Sequence, residues 1–155
     1  MNQPVSHKAD GLIRFRIDLA YDGTGYWGWA MQPGIPSVQG ELVTALTTVF
    51  GESPDAFGMR VAGRTDAGVH ATAQVAHIDL SPKQLKRLGR SHGMVGQLND
   101  LLPTDIRIHA VAEAPVGFDA RFSASYRRYR YRIADGLAPE ESAQVSLCAL
   151  AKPRT

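Results

Sequence analysis

Hydrophobic and polar positions alternate near the start of the chain, over residues 12–20. There Ile13, Phe15, Ile17 and Leu19 are separated by single charged residues. A period of two is typical of a β-strand with one buried face, so this segment is predicted to be a strand. Related patterns predict further strands over residues 57–62, 69–80, 106–112 and 126–133.

Two segments between these strands have the spacing of amphipathic helices. The first follows Ser37, a good N-terminal cap, and ends at Gly51. The second begins at Ser81-Pro82 and continues to Pro103, with a break near Gly93. The resulting order, β-α-β-β-α-β-β, predicts an α+β fold: a ferredoxin-like α/β sandwich, an antiparallel sheet with its helices on one face.

The pattern also divides the chain into regions. Residues 1–10 are predicted to be a flexible lead, and residues 11–135 hold all the predicted elements. Residues 136–155 show no clear period and are expected to be a tail that packs poorly by itself. A length of 155 residues fits a single domain.

Composition excludes several classes of protein. No apolar run reaches the ~20 residues that cross a bilayer. The polar start lacks the apolar core of an export signal. Cys148 is the single cysteine, so the chain has no internal disulfide and no cysteine-based zinc cluster. We therefore expect a soluble, cytoplasmic protein.

The charge is distributed unevenly although its sum is small. The net charge is +2, yet residues 1–80 carry a balance of −3 and residues 81–155 a balance of +5. Five arginines lie within residues 121–132. Such a cluster is typical of a polyanion-binding surface and equally of a solvated basic face, so charge leaves both interpretations open.

Apparent cofactor and metal motifs fail on closer inspection. Residues 23–28 match Gly-x-Gly-x-x-Gly, but one tryptophan and two prolines separate this loop from the helix that a dinucleotide site requires. These glycines are instead expected to permit positive φ or close backbone approach. His70 and His77 are predicted to project from opposite faces of one strand, as structural or surface histidines. We therefore expect no cofactor and no metal.

Residues 63–71 form a candidate catalytic loop, Gly-Arg-Thr-Asp-Ala-Gly-Val-His-Ala. Small residues around Asp66 give a bulky substrate access to its carboxylate. Arg64 is close enough to pair with Asp66 and keep it anionic, as a nucleophile requires. Thr65 can form a local hydrogen bond that holds the turn. A purely structural Asp/Arg turn fits the same residues.

The segment at residues 121–132 interleaves aromatic residues with arginines. Alternation predicts that Tyr129 and Tyr131 face one way and that Arg128 and Arg130 face the other. Arginines neutralise phosphates and tyrosines stack on unpaired bases, so nucleic-acid contact is expected. A strand with buried tyrosines and solvated arginines is the alternative. Combined with an ionised Asp66, the segment suggests chemistry on a flipped-out nucleotide.

These motifs together resemble the tRNA pseudouridine synthase A family. The loop at residues 63–71 resembles that family's active-site loop. Other family segments are resembled, in the same order, at residues 21–29, 37–42, 98–106 and 120–131. The resemblance covers most of the chain, from about residue 14 to about residue 139. It implies the N-terminal half of that family's fold.

By this resemblance, Asp66 is the nucleophile that isomerises uridine to pseudouridine in the anticodon stem-loop of tRNA. Arg64 would pair with Asp66 and help hold the target nucleotide extruded, and Tyr129 would stack on the target base and move a proton. The resemblance implies phosphate contacts from a group of arginines: Arg121, Arg127, Arg128 and Arg130. It also implies that no cofactor is needed and that full-length relatives are homodimers.

Two departures from the family pattern are visible. Met31 stands where the family often carries a basic residue, which puts one RNA contact in doubt. Relatives continue into a second α/β half that completes the pocket, and residues 140–155 do not resemble its start. The chain therefore reads as an N-terminal portion, through natural truncation, a frameshift or fragment design. A non-catalytic RNA-binding fragment and a degenerate paralogue are the alternatives.

Overall fold

The computed structural model describes residues 11–53, 55–88, 93–132 and 144–151. The expected lead at residues 1–10 lies outside these ranges. Within them, the strands and α-helices in chain order are β1 (Ile13–Tyr21), α1 (Val38–Phe50), β2 (Arg60–Val61), β3 (His70–Leu80), α2 (Pro82–Lys86), α3 (Met94–Leu101), β4 (Ile106–Glu113), β5 (Ala124–Arg132) and β6 (Gln144–Ala151).

The strands form one sheet in the order β4-β1-β3-β6-β5, and the short β2 pairs with β3. β1 is antiparallel to both β3 and β4, and β5 is antiparallel to β6. β3 and β6 are parallel, which differs from the all-antiparallel sheet that the sequence pattern predicts. The α+β class is confirmed.

β6 lies within the segment that was expected to be a tail. Its backbone joins β5 to the rest of the sheet, because among the described strands β5 pairs with β6 and β6 pairs with β3. The local sequence indicates a strand only weakly here, since Val145 is the single β-branched residue among residues 144–151 and none of them is aromatic. The strand depends on pairing with residues more than 70 positions away along the chain.

The helix ends follow the capping rules. The Ser37 hydroxyl accepts a hydrogen bond from the Gly40 N–H at 3.0 Å, and Gly51 ends α1 with φ +86°. Ser81 and Gln84 form a reciprocal capping box at the start of α2. The predicted helix starts are confirmed, and the second predicted helix is interrupted between Lys86 and Met94. No helix in the described ranges is long and apolar enough to span a membrane.

The main hydrophobic core lies between the helices and one face of the sheet. It is formed by large buried side chains of β1, β3, α1 and α3: Ile17, Leu19, Ile78, Leu80, Leu42, Leu46 and Leu98. A smaller cluster around Phe118, Val75 and Ala120 covers the opposite face. The predicted placement of the helices on one face is therefore confirmed for the described helices.

Candidate functional site

The Asp66 loop (residues 63–69) is held by backbone hydrogen bonds to the glycine-rich loop (residues 22–29). The Trp29 N–H donates to the Thr65 carbonyl at 3.0 Å, and the Gly68 N–H donates to the Tyr26 carbonyl at 3.1 Å. These bonds lie on both sides of Asp66 in sequence. They therefore fix the backbone that carries its carboxylate.

Two glycines allow the loops to approach this closely. A Cβ atom at Gly28 would lie 2.6 Å from the Thr65 carbonyl oxygen, and Gly28 has φ +93°. A Cβ atom at Gly23 would collide with the Val69 carbonyl oxygen. The expectation that these glycines permit close backbone approach is confirmed, whereas Gly25 has open space around it.

A buried polar network supports the Asp66 loop from below. The Tyr21 hydroxyl lies 2.7 Å from the Thr65 hydroxyl oxygen. The Gln74 side-chain amide donates to the Tyr21 hydroxyl at 3.2 Å and to the Gly63 carbonyl at 2.7 Å. Burial raises the pKa of Tyr21, so the hydroxyl stays protonated. Thr65 thus forms the turn-holding hydrogen bond that the sequence suggests, with Tyr21 as its partner.

Asp66 itself is exposed, as is Arg64. The structure contains no ion pair between these two described residues, so the Arg64–Asp66 pair expected from the sequence is not formed. The physical reason is that an exposed pair in water gains little energy and must immobilise a long side chain. Arg64 lines a neighbouring cleft instead.

His70 supports the glycine-rich loop. Its Nδ1 accepts a hydrogen bond from the Gly23 N–H at 2.9 Å and lies 3.1 Å from Asp22 Oδ1. Asp22 also accepts hydrogen bonds from the Thr24 hydroxyl and N–H, which lower the pKa of its carboxyl group. The interpretation of His70 as a structural residue is confirmed.

Asp105 lies in the segment at residues 98–106 that resembles the family, but its supporting role was not predicted from the sequence. The Tyr26 hydroxyl donates to Asp105 Oδ1 at 2.6 Å, and the Asp22 N–H donates to the Asp105 carbonyl at 2.9 Å. Burial, followed by this hydrogen bond, raises the pKa of Tyr26. Asp105 therefore ties the glycine-rich loop to the turn before β4.

Tyr129 on β5 lies in the same row across the sheet as Tyr21 on β1. In the sheet, Tyr129 is opposite Leu147 of β6, Leu147 is opposite Ala71 of β3, and Ala71 is opposite Tyr21 of β1. Directly opposed residues point to the same face of a sheet, so Tyr129 and Tyr21 share a face. After burial, Tyr129 is a further cause of the raised pKa of Tyr21. The Tyr129 ring is 56% exposed and therefore open to a ligand.

A cleft of about 830 Å³ lies beside the Asp66 loop. Four arginines line it: Arg60, Arg64, Arg121 and Arg127. No acidic residue is among its described lining. Such a concentration of guanidinium groups attracts phosphate.

Two of these arginines are held in place by the cleft wall. The Arg127 guanidinium donates to the Ala62 carbonyl at 2.6 Å and to the Arg121 carbonyl at 3.0 Å. The Arg121 guanidinium lies 5.3 Å from the centre of the Phe122 ring. The positive charge of the cleft is therefore partly preorganised.

The arginines expected to act as a group fall on two surfaces. Arg121 and Arg127 line the cleft. Arg128 and Arg130 are exposed on β5, where strand alternation directs them away from the face of Tyr129. Arg60 was missed because no local signal marks it: it begins the two-residue β2 and joins the cleft through long-range packing.

The described residues contain no group of three or more His, Cys, Asp or Glu side chains that could hold a metal ion. His77, the second strand histidine, is buried behind the site. Its Nδ1 accepts a hydrogen bond from the Ala120 N–H at 3.0 Å, and its ring packs edge-on to Phe118. It is a structural histidine, as expected.

Comparison with known proteins finds close relatives. The chain is 48% identical over 147 residues to a tRNA pseudouridine synthase A of Leifsonia xyli subsp. xyli, an alignment covering 87% of this chain and 51% of that protein. A protein of the same name from Frankia casuarinae is 54% identical over 126 residues, covering 81% of this chain and 43% of its own length. One from Mycobacterium leprae is 44% identical over 158 residues, covering 94% and 53%.

The chain spans about half the length of the curated relatives it matches. No family model matches the chain.

Proposed function

Because this chain belongs to the tRNA pseudouridine synthase A family, whose N-terminal portion it matches, we propose that it carries the nucleophile of an enzyme that isomerises uridine to pseudouridine in tRNA. The observation that carries this proposal is the exposed carboxylate of Asp66 on a loop whose backbone is fixed at Thr65 and Gly68. A fixed backbone holds the carboxylate in one place and leaves its oxygens open to substrate.

Asp66 is the proposed nucleophile. The reaction breaks the bond between C1′ of the ribose and N1 of uracil, forms a bond between C1′ and C5, and releases the proton from C5 while N1 gains one. A carboxylate suits this chemistry because it can attack C1′ or add to C6 and then leave again. Both routes stay open. Atoms and electrons balance without an oxidant or reductant, so the proposed reaction needs no cofactor.

Tyr129 and Arg64 are the other proposed participants. Tyr129 would stack on the target uracil and move a proton, which its exposed ring on the face shared with Tyr21 supports. Arg64, next to Thr65 and within the cleft, would hold the extruded nucleotide by its phosphate. The absence of an Arg64–Asp66 ion pair leaves the guanidinium available for that contact.

The basic cleft is the proposed path of the RNA backbone. Arg121 and Arg127 line it and are partly fixed in place, which reduces the conformational entropy lost when they bind phosphates. Arg128 and Arg130 would contact phosphates outside the cleft. Each phosphate contact makes binding more sensitive to salt.

The substrate we propose is the anticodon arm of tRNA, and the site of action is the cytoplasm. An unpaired uridine in a loop can be extruded at lower cost than a paired one, which favours an arm with a loop. The family resemblance is the support for the anticodon arm, for the cytoplasm, and for a homodimer formed by the full-length protein.

Binding of RNA without catalysis is the second candidate function. It is favoured by one observation: four arginines of the described residues line the cleft, whereas the Asp66 carboxylate has no cationic partner among the described residues.

Release of tritium from tRNA labelled at C5 of uracil, measured beside electrophoretic RNA binding, tests both functions. We expect the chain to release tritium and the Asp66→Asn variant to lose roughly 100-fold or more of the rate, with RNA binding retained. Asp55→Asn is the matched control, since Asp55 is exposed and its side chain caps no helix. Binding without release would favour the second function, and full activity of Asp66→Asn would refute the assignment of the nucleophile.

A further inference from the structure

Two tryptophans in one short segment have opposite environments. The Trp29 side chain is buried, with 2% exposure, and packs near the Tyr21 ring. The Trp27 side chain is 68% exposed. Exposing an indole forgoes a large hydrophobic gain, and tryptophan is enriched at binding interfaces because its ring combines a large apolar surface with a polar N–H.

The backbone of Trp27 is fixed although its ring is free. The Trp27 N–H donates to the Pro36 carbonyl at 2.9 Å, and the carbonyl of the next residue, Gly28, accepts from the Val38 N–H at 3.2 Å. On the other side, the Tyr26 carbonyl accepts from the Gly68 N–H. Trp27 is therefore anchored on both sides.

The anchors place Trp27 directly beside the Asp66 loop. Tyr26 is bonded to Gly68, and Gly28 packs against the backbone of Thr65 and Asp66. Trp27 lies between these two contacts in sequence. Its ring is thus exposed to solvent on a loop whose backbone packs against the loop that carries Asp66.

The charge of the neighbouring surface indicates the kind of partner. Arg64 adjoins Thr65 and lines the cleft together with Trp29, and the described lining carries arginines and no carboxylate. An exposed indole on a loop that packs against the loop of Arg64 fits a single-stranded polyanion with flat bases, because phosphates would meet the arginines of the cleft while a neighbouring base stacks on the Trp27 ring. A protein partner would have to bury those guanidinium groups against acidic residues of its own.

We propose that Trp27 is a base-stacking residue that receives an unpaired RNA base next to the nucleotide presented to Asp66. This inference rests on the proposed function for the identity of the ligand as RNA. It adds a contact on the glycine-rich loop, separate from Tyr129 on β5.

Tryptophan fluorescence tests the inference because the chain contains only two tryptophans. The probe is an RNA stem-loop with unpaired uridines, and a blunt RNA duplex of equal length is the comparison. We expect the stem-loop to quench the red-shifted emission of exposed Trp27 and to leave the blue-shifted emission of Trp29. In Trp27→Phe, only the Trp29 emission is expected, and it should stay unquenched.

Binding affinity supplies the second readout. Trp27→Ala removes one base-stacking contact and should weaken stem-loop binding roughly 5- to 150-fold. Fluorescence anisotropy of labelled RNA measures this change in affinity. Trp27→Phe should recover part of this loss because a phenyl ring also stacks. Val116→Ala is the control, since Val116 is 55% exposed and does not line the cleft.

The outcomes separate this inference from the proposed function. Stem-loop binding with unquenched Trp27 and unchanged affinity in Trp27→Ala would overturn the inference, even if tritium is released. Quenching without tritium release would support the stacking role and count against catalysis by this chain. A dimer that dissociates in Trp27→Ala, measured by analytical ultracentrifugation, would make this surface a protein interface and overturn the inference. Failure to bind either RNA would overturn both.

Discussion

At the scale of single residues, Gln74 has the most connected position beneath the site. Its buried amide bonds both the Tyr21 hydroxyl and the Gly63 carbonyl, so it joins β1 and β3 to the start of the Asp66 loop. Water has little access to the Tyr21 hydroxyl when the amide is removed, because Gln74 and Tyr21 are buried. Gln74 is therefore a positioning residue for Asp66.

Gln74→Leu tests this role. Removing the hydrogen bonds to the Gly63 carbonyl and to the buried Tyr21 hydroxyl, which keeps Thr65 as a partner, should lower the free energy of unfolding by about 1–3 kcal/mol, measured by urea denaturation. In tritium-release kinetics, kcat should fall while KM changes little, since the cleft arginines are unaltered. Gln32→Leu, at an exposed position, should change neither quantity. An unchanged kcat in Gln74→Leu would show that the network is merely structural.

At the scale of elements, the contact between the glycine-rich loop and the Asp66 loop is the feature on which the site depends. Gly28→Ala would place a methyl group against the Thr65 carbonyl at a positive φ. We expect a loss of about 1–3 kcal/mol in unfolding free energy and faster amide exchange over residues 63–69. Gly25→Ala is the matched control, as no atom lies within 4 Å of its Cβ position. Equal stability of the two variants would contradict tight loop packing.

The elements also show what local sequence can and cannot predict. The caps at Ser37 and Ser81 act over three residues, so the helix starts were predictable. The alternation of β1 was readable for the same reason. β6 and the place of Arg60 in the cleft arise from contacts between distant segments, which no local pattern encodes.

In the candidate site, too, some features follow from local sequence and others from long-range contacts. Asp66 and Arg64 were predictable because they stand in one compact loop of distinctive composition. That Arg64 turns to the cleft rather than to Asp66 was not predictable, because it depends on the neighbouring strands. Strand alternation predicts that Arg127 and Arg128 lie on opposite faces of β5. That Arg127 lines the cleft depends on the position of β2, because its guanidinium donates to the carbonyl of Ala62, the residue that follows β2.

At the scale of the whole molecule, the second face of the sheet contains a pH-sensitive group. His77 is buried against Phe118, and its Nε2 has no hydrogen-bond partner. Burial, followed by the charge of Arg14, lowers the pKa of His77 from 6.5 to about 4. The unfolded chain therefore binds this proton more readily than the folded chain does.

The free energy of unfolding should therefore keep its full value above about pH 6.5 and decrease as the pH drops towards 4. Protonation of His77 should account for up to about 3 kcal/mol of this decrease. Urea denaturation across this range measures the loss. His77→Gln should flatten the dependence, whereas His109→Gln, at an exposed position, should leave it unchanged. Identical pH profiles for the wild type and His77→Gln would contradict a buried, neutral His77.

The chain as a whole combines a fixed carboxylate loop with a basic cleft and an edge strand of exposed tyrosines. β5 is at the edge of the described sheet, and its Tyr126, Tyr129 and Tyr131 rings are all more than 40% exposed. Asp66, the arginines of the cleft and these tyrosines are all exposed. This arrangement fits a nucleotide extruded between Asp66 and Tyr129 with its phosphates in the cleft.

The most direct test of the central claim is the amount of pseudouridine formed in tRNA, measured by nucleoside chromatography after complete digestion. Incubation with the wild-type chain should convert uridine of the anticodon arm, and Asp66→Asn should form no pseudouridine above background while still binding the tRNA. Pseudouridine formed by Asp66→Asn at the wild-type rate would contradict the account.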